Sequence, residues 1–272
     1  MSSEIPYWEI RTPIRKSFRA FLKNDVIVSR LFNLRAGSEG FLKRKIESIR
    51  ERNSIQIAKV LDIACGWGVS FATNEKVEFY GVDIEGFPRE VTLGNGYKDA
   101  REYGDDLSIP YEDQSFDVVT ILNLNAHVSN DLYSKLLAQA RRKLKPDGIV
   151  LIVAELNNRG LSYNLMRRLD HRRFDKMVAG MDHSNFVFEK DFDSFLAGAG
   201  LETVSKSTII GNILPFFHYT SWAIDKSPYE TLRIPAFAAD AVNSLVDGSL
   251  TALGLSGAGR RFNVGYVCRF RD

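Results

Sequence analysis

The 272-residue chain predicts a doubly wound α/β fold on a mostly parallel sheet. Three observations carry that expectation. From Ile57 onward, short, nearly continuous apolar runs recur (IAKVLDI, VEFYGVDI, FDVVTILNL and GIVLIVAEL), which is how strands buried on both faces read. Segments of helical periodicity separate or follow them, giving the alternation that parallel sheets need. The first run ends in VLDIACGWGVS, residues 60–70, where Gly66 and Gly68 allow a tight turn from strand into helix.

Taken in order, residues 11–34 place Ile14, Phe18, Phe21, Leu22 and Leu31 at helical spacing, with Arg15, Lys16, Arg19 and Lys23 between them. A second helix is expected from Ser38, as N-cap, through FLKRKIESIRER. Residues 1–56 therefore read as an N-terminal helical arm and 57–272 as the α/β domain. Between the second and third apolar runs, EGFPREVTLGNGYKDAREY contains Pro88, Gly94 and Gly96 and is expected to hold little or no helix. Asn130 to Lys145 sets Leu132, Leu136, Leu137, Ala140 and Leu144 on one helical face, and Pro146, Asp147 and Gly148 then turn the chain. Residues 156–188 are polar and basic and read as a small inserted cap. A helix over Lys190–Ala199 closed by Gly200, a strand over Leu201–Ile210, an amphipathic helix over about 236–253 and a final strand, RFNVGYVCRF, complete the chain. The last two strands are expected to be antiparallel.

Composition excludes several classes. With 36 Lys+Arg against 34 Asp+Glu and 44% apolar residues, the chain is neither a disordered tail nor a histone-like wrapper. The longest clean apolar run, Gly148–Ala154, is far short of the roughly 20 residues of a membrane span. Cys65 and Cys268 form no disulfide framework, and no secretory signal opens the chain, so a reducing, cytoplasmic setting is expected. The small net charge divides along the chain. Residues 1–59 carry 13 Lys/Arg against 6 Asp/Glu, whereas 60–132 carry 14 acidic residues against 4 basic ones.

The glycine turn is the sharpest candidate site, because open α/β sheets bind nucleotide-like ligands at the carboxyl ends of their strands. Asp83 ends the next strand 17 residues beyond Gly66, where its carboxylate can accept both ribose hydroxyls, and Ile84 can pack on a flat base. In GDDLSIPYEDQSFD, residues 104–117, Asp105 can accept an adenine amino group and Asp106 offers its backbone. A dinucleotide turn would require glycine at position 71, which is Phe71. A ligand with a cationic sulfonium suits the acidic body better.

At these residues the sequence resembles the class I S-adenosylmethionine-dependent methyltransferases. The turn is similar to their acidic-x-Gly-x-Gly-x-Gly motif from Asp62, with Ala64 in place of the first glycine, a mild change where φ is negative. Asp83 matches their ribose-binding acid, Asp105 their adenine-binding position, and LKPDG at 144–148 the turn before their fifth strand. Asn123 falls near the methionine end of the cofactor, and HSNFVFEKDFDSFLAGAGL, 183–201, resembles a further family segment. The resemblance spans about residues 57–210. It implies a seven-stranded Rossmann-like sheet, S-adenosyl-L-methionine as methyl donor, S-adenosyl-L-homocysteine as product, and an enzyme.

Methyl transfer to an amine needs that amine unprotonated; transfer to a hydroxyl needs a general base. His127 and His183 are the candidates, each also readable as a structural histidine. No Asp/Asn-Pro-Pro-Tyr follows the fourth strand and no Pro-Cys loop occurs, which disfavours methylation of nucleic-acid bases. No metal-ligand spacing links the histidines. Arg167, Arg168, His171, Arg172, Arg173 and Lys176 in the cap read as either an anion-recognising cluster or a solvated face. The leading expectation is a small-molecule or saccharide-type acceptor, phosphorylated and carrier-linked forms included. An RNA methyltransferase using the basic arm and a non-catalytic cofactor-binding subunit are the alternatives. The arm itself reads as a lid, a membrane-surface helix or a homodimer contact.

Overall fold

The computed structural model describes residues 34–69, 72–73, 75–104, 106–156, 187–211 and 261–271. The expected helices over 11–34 and 236–253 and nearly all of the cap lie outside the described residues. The described elements are α1 (Leu34–Arg52), β1 (Ala58–Ile63), β2 (Val77–Asp83), α2 (Arg89–Gly94), β3 (Asp99–Glu102), β4 (Phe116–Leu122), a 3-10 turn (Leu124–Ala126), α3 (Asn130–Lys143), β5 (Leu144–Glu155), α4 (Glu189–Gly198), β6 (Leu201–Gly211) and β7 (Arg261–Phe270).

The strands form one seven-stranded sheet in the order β3-β2-β1-β4-β5-β7-β6. The β1–β2, β1–β4, β2–β3 and β4–β5 pairs are parallel, and β7 runs antiparallel to both β5 and β6. The last two strands are thus antiparallel to each other as expected, with the reversal confined to β7.

Alternation along each strand divides the core between the two faces. Leu61, Val119, Ile152, Val264 and Tyr266 pack with Leu136 and Leu137 of α3 and Phe192 and Leu196 of α4. Val60, Val118, Leu151, Val153 and Val267 pack on the opposite side with Phe41, Leu42 and Ile46 of α1. Burial on both faces is why these strands read as continuous apolar runs instead of alternating ones.

Four local expectations are corrected. Helix α1 starts at Leu34, so Ser38 lies inside it, 6% exposed, and is not its N-cap. The linker after β2 does contain a helix, α2. Pro88 precedes its first residue, where the missing N–H and preset φ cost nothing, and Gly96 (φ +100°) lies just beyond its end. The same linker also contains β3, whose sequence Asp-Ala-Arg-Glu carries no apolar pattern. It is an edge strand, and charged side chains there discourage further pairing. Last, helix α3 ends at Lys143, before the expected stop at Pro146–Gly148, and those residues lie within β5: Phe116 pairs with Leu144 and Val118 with Ile149, so the intervening residues bulge out of the ladder.

Gly265 of β7 faces α1, and a Cβ there would lie 2.7 Å from the Phe41 ring. Gly265→Ala is expected to push Phe41 out of its seat and destabilise the protein by about 1–3 kcal/mol. A melting temperature equal to that of the unsubstituted protein would contradict this packing.

Candidate functional site

Strand β1 ends at Ile63 and the chain turns through residues 64–69 beside the carboxyl ends of β2 and β4. Three residues of the turn have positive φ: Ala64 (+57°), Gly66 (+50°) and Gly68 (+69°). Position 64 therefore needs the left-handed region, contrary to the expectation of negative φ. An alanine there is strained by about 1–2 kcal/mol.

Asp83 closes the turn from the side. Its Oδ2 accepts from the Gly66 N–H at 2.6 Å and its Oδ1 from the Ile84 N–H at 2.7 Å. An ionised carboxylate offers about four lone-pair sites, so two acceptor positions remain for ligand hydroxyls. Ile84, next to it, is 50% exposed, an apolar surface large enough to cover one face of a base. Among the described residues only Asp83 Oδ2, at 4.0 Å, lies near a Cβ built on Gly66. These features fit the adenosine end of S-adenosylmethionine.

Burial pushes the Asp83 carboxyl above its ordinary value, against the lowering effect of its two backbone donors. An acid whose pKa is raised takes up its proton at higher pH, and the protonated form loses acceptor capacity. As pH is lowered, affinity for the cofactor product is therefore expected to begin falling at a higher pH than an ordinary aspartate, with pKa about 3.9, would allow. Calorimetric titrations over a pH series in which the fall begins no higher than in the ordinary aspartate range would refute this. The same shift means that Asp83 favours the fold while protonated, and that this contribution is lost as pH rises through its folded-state pKa.

The other predicted residues divide. Asp62 is only 1% exposed and lies behind the turn, its Oδ1 accepting from Thr120 Oγ1 at 2.7 Å and its Oδ2 from the Tyr97 hydroxyl at 2.6 Å. Its carboxyl group thus holds protein, and contributes to the turn from within. Asp106 is exposed, and its Oδ1 accepts from the Ser108 N–H at 2.9 Å, which together with the Ser108 hydroxyl lowers its pKa. Asp105 and His183 lie outside the described residues. Asn123 follows β4 in the left-handed region (φ +54°), and its N–H donates to Val153 O at 2.7 Å. His127 is exposed at the end of the 3-10 turn.

Two groups of residues escaped sequence reading. The first is a clasp around the turn from the linker after β2. Tyr103 Oη accepts from Ala64 N–H (3.1 Å), Thr92 Oγ1 donates to Gly66 O (2.7 Å), Asn95 Nδ2 donates to Trp67 O (2.6 Å), and Tyr97 Oη accepts from Val69 N–H (3.0 Å). Burial raises both tyrosine pKa values well above the ordinary range, so these phenols stay protonated.

The second group is polar and gathers where β4, β5 and β7 meet. Asn125 pairs with the backbone of Glu155, donating to its carbonyl (2.6 Å) and accepting from its N–H (3.0 Å). Glu155 ends β5 opposite Asn263 of β7, and burial pushes its carboxyl up to about 7. Asn263 Nδ2 approaches Asn123 Oδ1 at 3.5 Å, while Asn263 Oδ1 is buried without a hydrogen-bond partner among the described residues. The only advance signal was position: Glu155 stands directly after the apolar run of β5, at the edge where ligands bind.

No group of three or more His, Cys, Asp or Glu able to hold a metal occurs among the described residues, and no described helix is long and apolar enough to cross a membrane.

Comparison with known proteins identifies the family and the fold. The family described as a methyltransferase domain matches residues 33–206. No curated protein sequence matches the chain. Among solved structures, the fold is similar to that of geranyl diphosphate C-methyltransferase from Streptomyces coelicolor, crystallised with Mg2+, geranyl diphosphate and S-adenosyl-L-homocysteine. That match has 12% identity, covers 84% of this chain and 79% of that one, and gives a TM-score of 0.51. A cyclopropane synthase from Mycobacterium tuberculosis is similar at 17% identity over 83% of this chain and 82% of that one, with a TM-score of 0.50. At such identities the likeness is one of fold.

Proposed function

The chain belongs to the methyltransferase-domain family of class I S-adenosylmethionine-dependent enzymes, and on that premise we propose that its acceptor is a small polar molecule, of saccharide type, methylated on oxygen or nitrogen. The observation that carries the acceptor class is the polar group at the ends of β4, β5 and β7. Among the described residues Asn263 Oδ1 is a buried acceptor without a hydrogen-bond partner, and such an atom favours an occupant that supplies a donor. A hydroxyl or amine does so; an apolar substrate would not.

Within this reading Gly66, Asp83 and Ile84 hold the adenosine, the backbone at Asp106 lies on its adenine side, Asp105 is the candidate acceptor for the adenine amino group, and Asn123 lies toward the methionine end. Ala64 and Gly68 shape the turn, and Asp62 braces it. S-adenosylmethionine supplies an electrophilic methyl group, so the protein's task is to align the acceptor and exclude water. His127 takes the acceptor's proton where the acceptor is a hydroxyl, and His183 is the second candidate for that role.

The test uses the full chain with methyl-labelled S-adenosylmethionine and separate pools of glycosides, sugar phosphates, small amines and RNA. Label is expected in a hydroxylated or amine-bearing small molecule. Label confined to RNA would overturn the acceptor reading. Once an acceptor is found, His127→Ala is expected to slow turnover by about 100-fold or more, within the range of general-base contributions, with cofactor affinity nearly intact. Unchanged turnover would remove His127 from the mechanism.

A further inference from the structure

The glycine turn is held from behind by a network that centres on one phenol. Tyr97 is 5% exposed, and its hydroxyl does two things at once: it donates to Asp62 Oδ2 at 2.6 Å and accepts from the Val69 N–H at 3.0 Å. Asp62 is anchored in turn to β4 through Thr120, at 2.7 Å. The Tyr97 hydroxyl thus joins the last residue of the turn to the strand that leads into it and to the neighbouring strand.

The ring has little room to move. A Cβ at Gly68 would stand 2.6 Å from Tyr97 Cε2, and one at Gly81 would stand 3.3 Å from Tyr97 Cδ1. Phe79 lies against the ring with centroids 5.3 Å apart. Two positions that lack side chains therefore form the slot for this aromatic ring. The turn it supports contains three residues of positive φ, one of them alanine, and such a conformation persists only where the surroundings over-determine it.

We propose that Tyr97 is a positioning residue for the cofactor, whose hydroxyl keeps residues 64–69 in the shape that receives the ligand. The inference rests on the reading of Gly66 and Asp83 as the cofactor site. Tyr97 has no need to touch the ligand: it acts through Val69, and the same linker reinforces it through Thr92 on Gly66 O and Asn95 on Trp67 O. Tyr97→Phe keeps the ring in its slot and removes only the joint.

The experiment measures S-adenosylhomocysteine binding by calorimetry in the full chain, at a temperature where circular dichroism shows each variant folded. Tyr97→Phe is expected to raise the dissociation constant about tenfold, equivalent to about 1.4 kcal/mol. Leu196→Ala truncates a buried side chain in the core on the other face of the sheet, and is expected to lower the melting temperature while leaving affinity within about twofold, well under that tenfold step. Thr92→Val, which deletes the donor to Gly66 O, is expected to weaken binding severalfold and carries the test if Tyr97→Phe does not fold. Unchanged affinity in a folded Tyr97→Phe, or in Thr92→Val where Tyr97→Phe does not fold, would overturn the proposal. An equal loss in Leu196→Ala would do the same, because general loosening of the core would then explain the effect. Asp83→Ala separates this from the underlying reading. If Asp83→Ala binds like the unsubstituted protein, the site itself is misplaced; if it loses binding while Tyr97→Phe does not, only the positioning role fails.

Discussion

Asp83→Ala is expected to weaken S-adenosylhomocysteine binding by about 100-fold or more, since two hydrogen bonds to a charged group are each worth about 1.5–3 kcal/mol. The size of the effect follows from three functions that converge on one carboxylate. It keeps two acceptor positions for the proposed ribose contacts, its Oδ2 holds the Gly66 N–H at 2.6 Å, and its Oδ1 holds the Ile84 N–H at 2.7 Å. Alanine removes all of these acceptors and leaves both N–H groups to find other partners. Asp83→Asn preserves volume and one carbonyl oxygen, and should fall between the two. Calorimetry on the three proteins decides the matter: a ranking other than unsubstituted, asparagine, alanine would show that Asp83 is not the ribose acid.

Gly68→Ala is expected to destabilise the fold by about 2–5 kcal/mol, adding left-handed strain of about 1–2 kcal/mol to overpacking of about 1–3 kcal/mol. The backbone at Gly68 has φ +69°, and the added methyl would stand 2.6 Å from Cε2 and 3.0 Å from Cζ of Tyr97. The ring cannot retreat, because Phe79 lies beside it and Gly81 is close on its far edge. For a domain of this size each kcal/mol shifts the melting temperature by about 2–4 °C, so a fall of about 4–20 °C is expected. Gly66→Ala provides the contrast. Its φ also lies in the left-handed region, but no described residue lies closer than 4.0 Å to the new Cβ, so strain dominates. Equal loss in the two variants would show that contact with Tyr97 contributes nothing.

These two substitutions also show how differently the two glycines came within reach of the sequence. That a tight turn follows β1 was legible from Gly66 and Gly68 alone, because positive φ is a property of the residue itself. Which glycine faces a ligand and which packs against protein was not. Gly66 has no described residue closer than 4.0 Å to an added Cβ, whereas Gly68 is closed by a ring from position 97. The same division holds for the acids. Asp62, one residue before the end of β1, and Asp83, the last of β2, both read as ligand-facing, yet Asp62 is turned inward to Thr120 and Tyr97.

The fold itself was largely written in local patterns. Runs such as FDVVTIL and GIVLIVAEL report burial on both faces, and Ser129, whose side chain accepts from the Leu132 N–H, starts α3 by ordinary capping chemistry. Strand β3 was missed because an edge strand of charged residues has no apolar signal to give. Helix α2 was missed because Pro88 and Gly94 were read as breakers, although they bracket a short helix.

What the sequence determined by itself was the succession along the chain of the apolar strands and the longer helices, the place of the turn, the presence of an acid at 83 after the next apolar run, and the resemblance to a methyltransferase. Each depends on side-chain periodicity or on the conformational freedom of single residues, which are local. Only the tertiary structure decided that the linker after β2 would grip the turn through Thr92, Asn95, Tyr97 and Tyr103, and that Asn263 would arrive beside Asn123 from 140 residues away. Such partnerships follow from strand order. β2 lies beside β1, so the chain leaving β2 passes directly over the turn that leaves β1, while β7 inserts between β5 and β6 and carries Asn263 to the edge of the site.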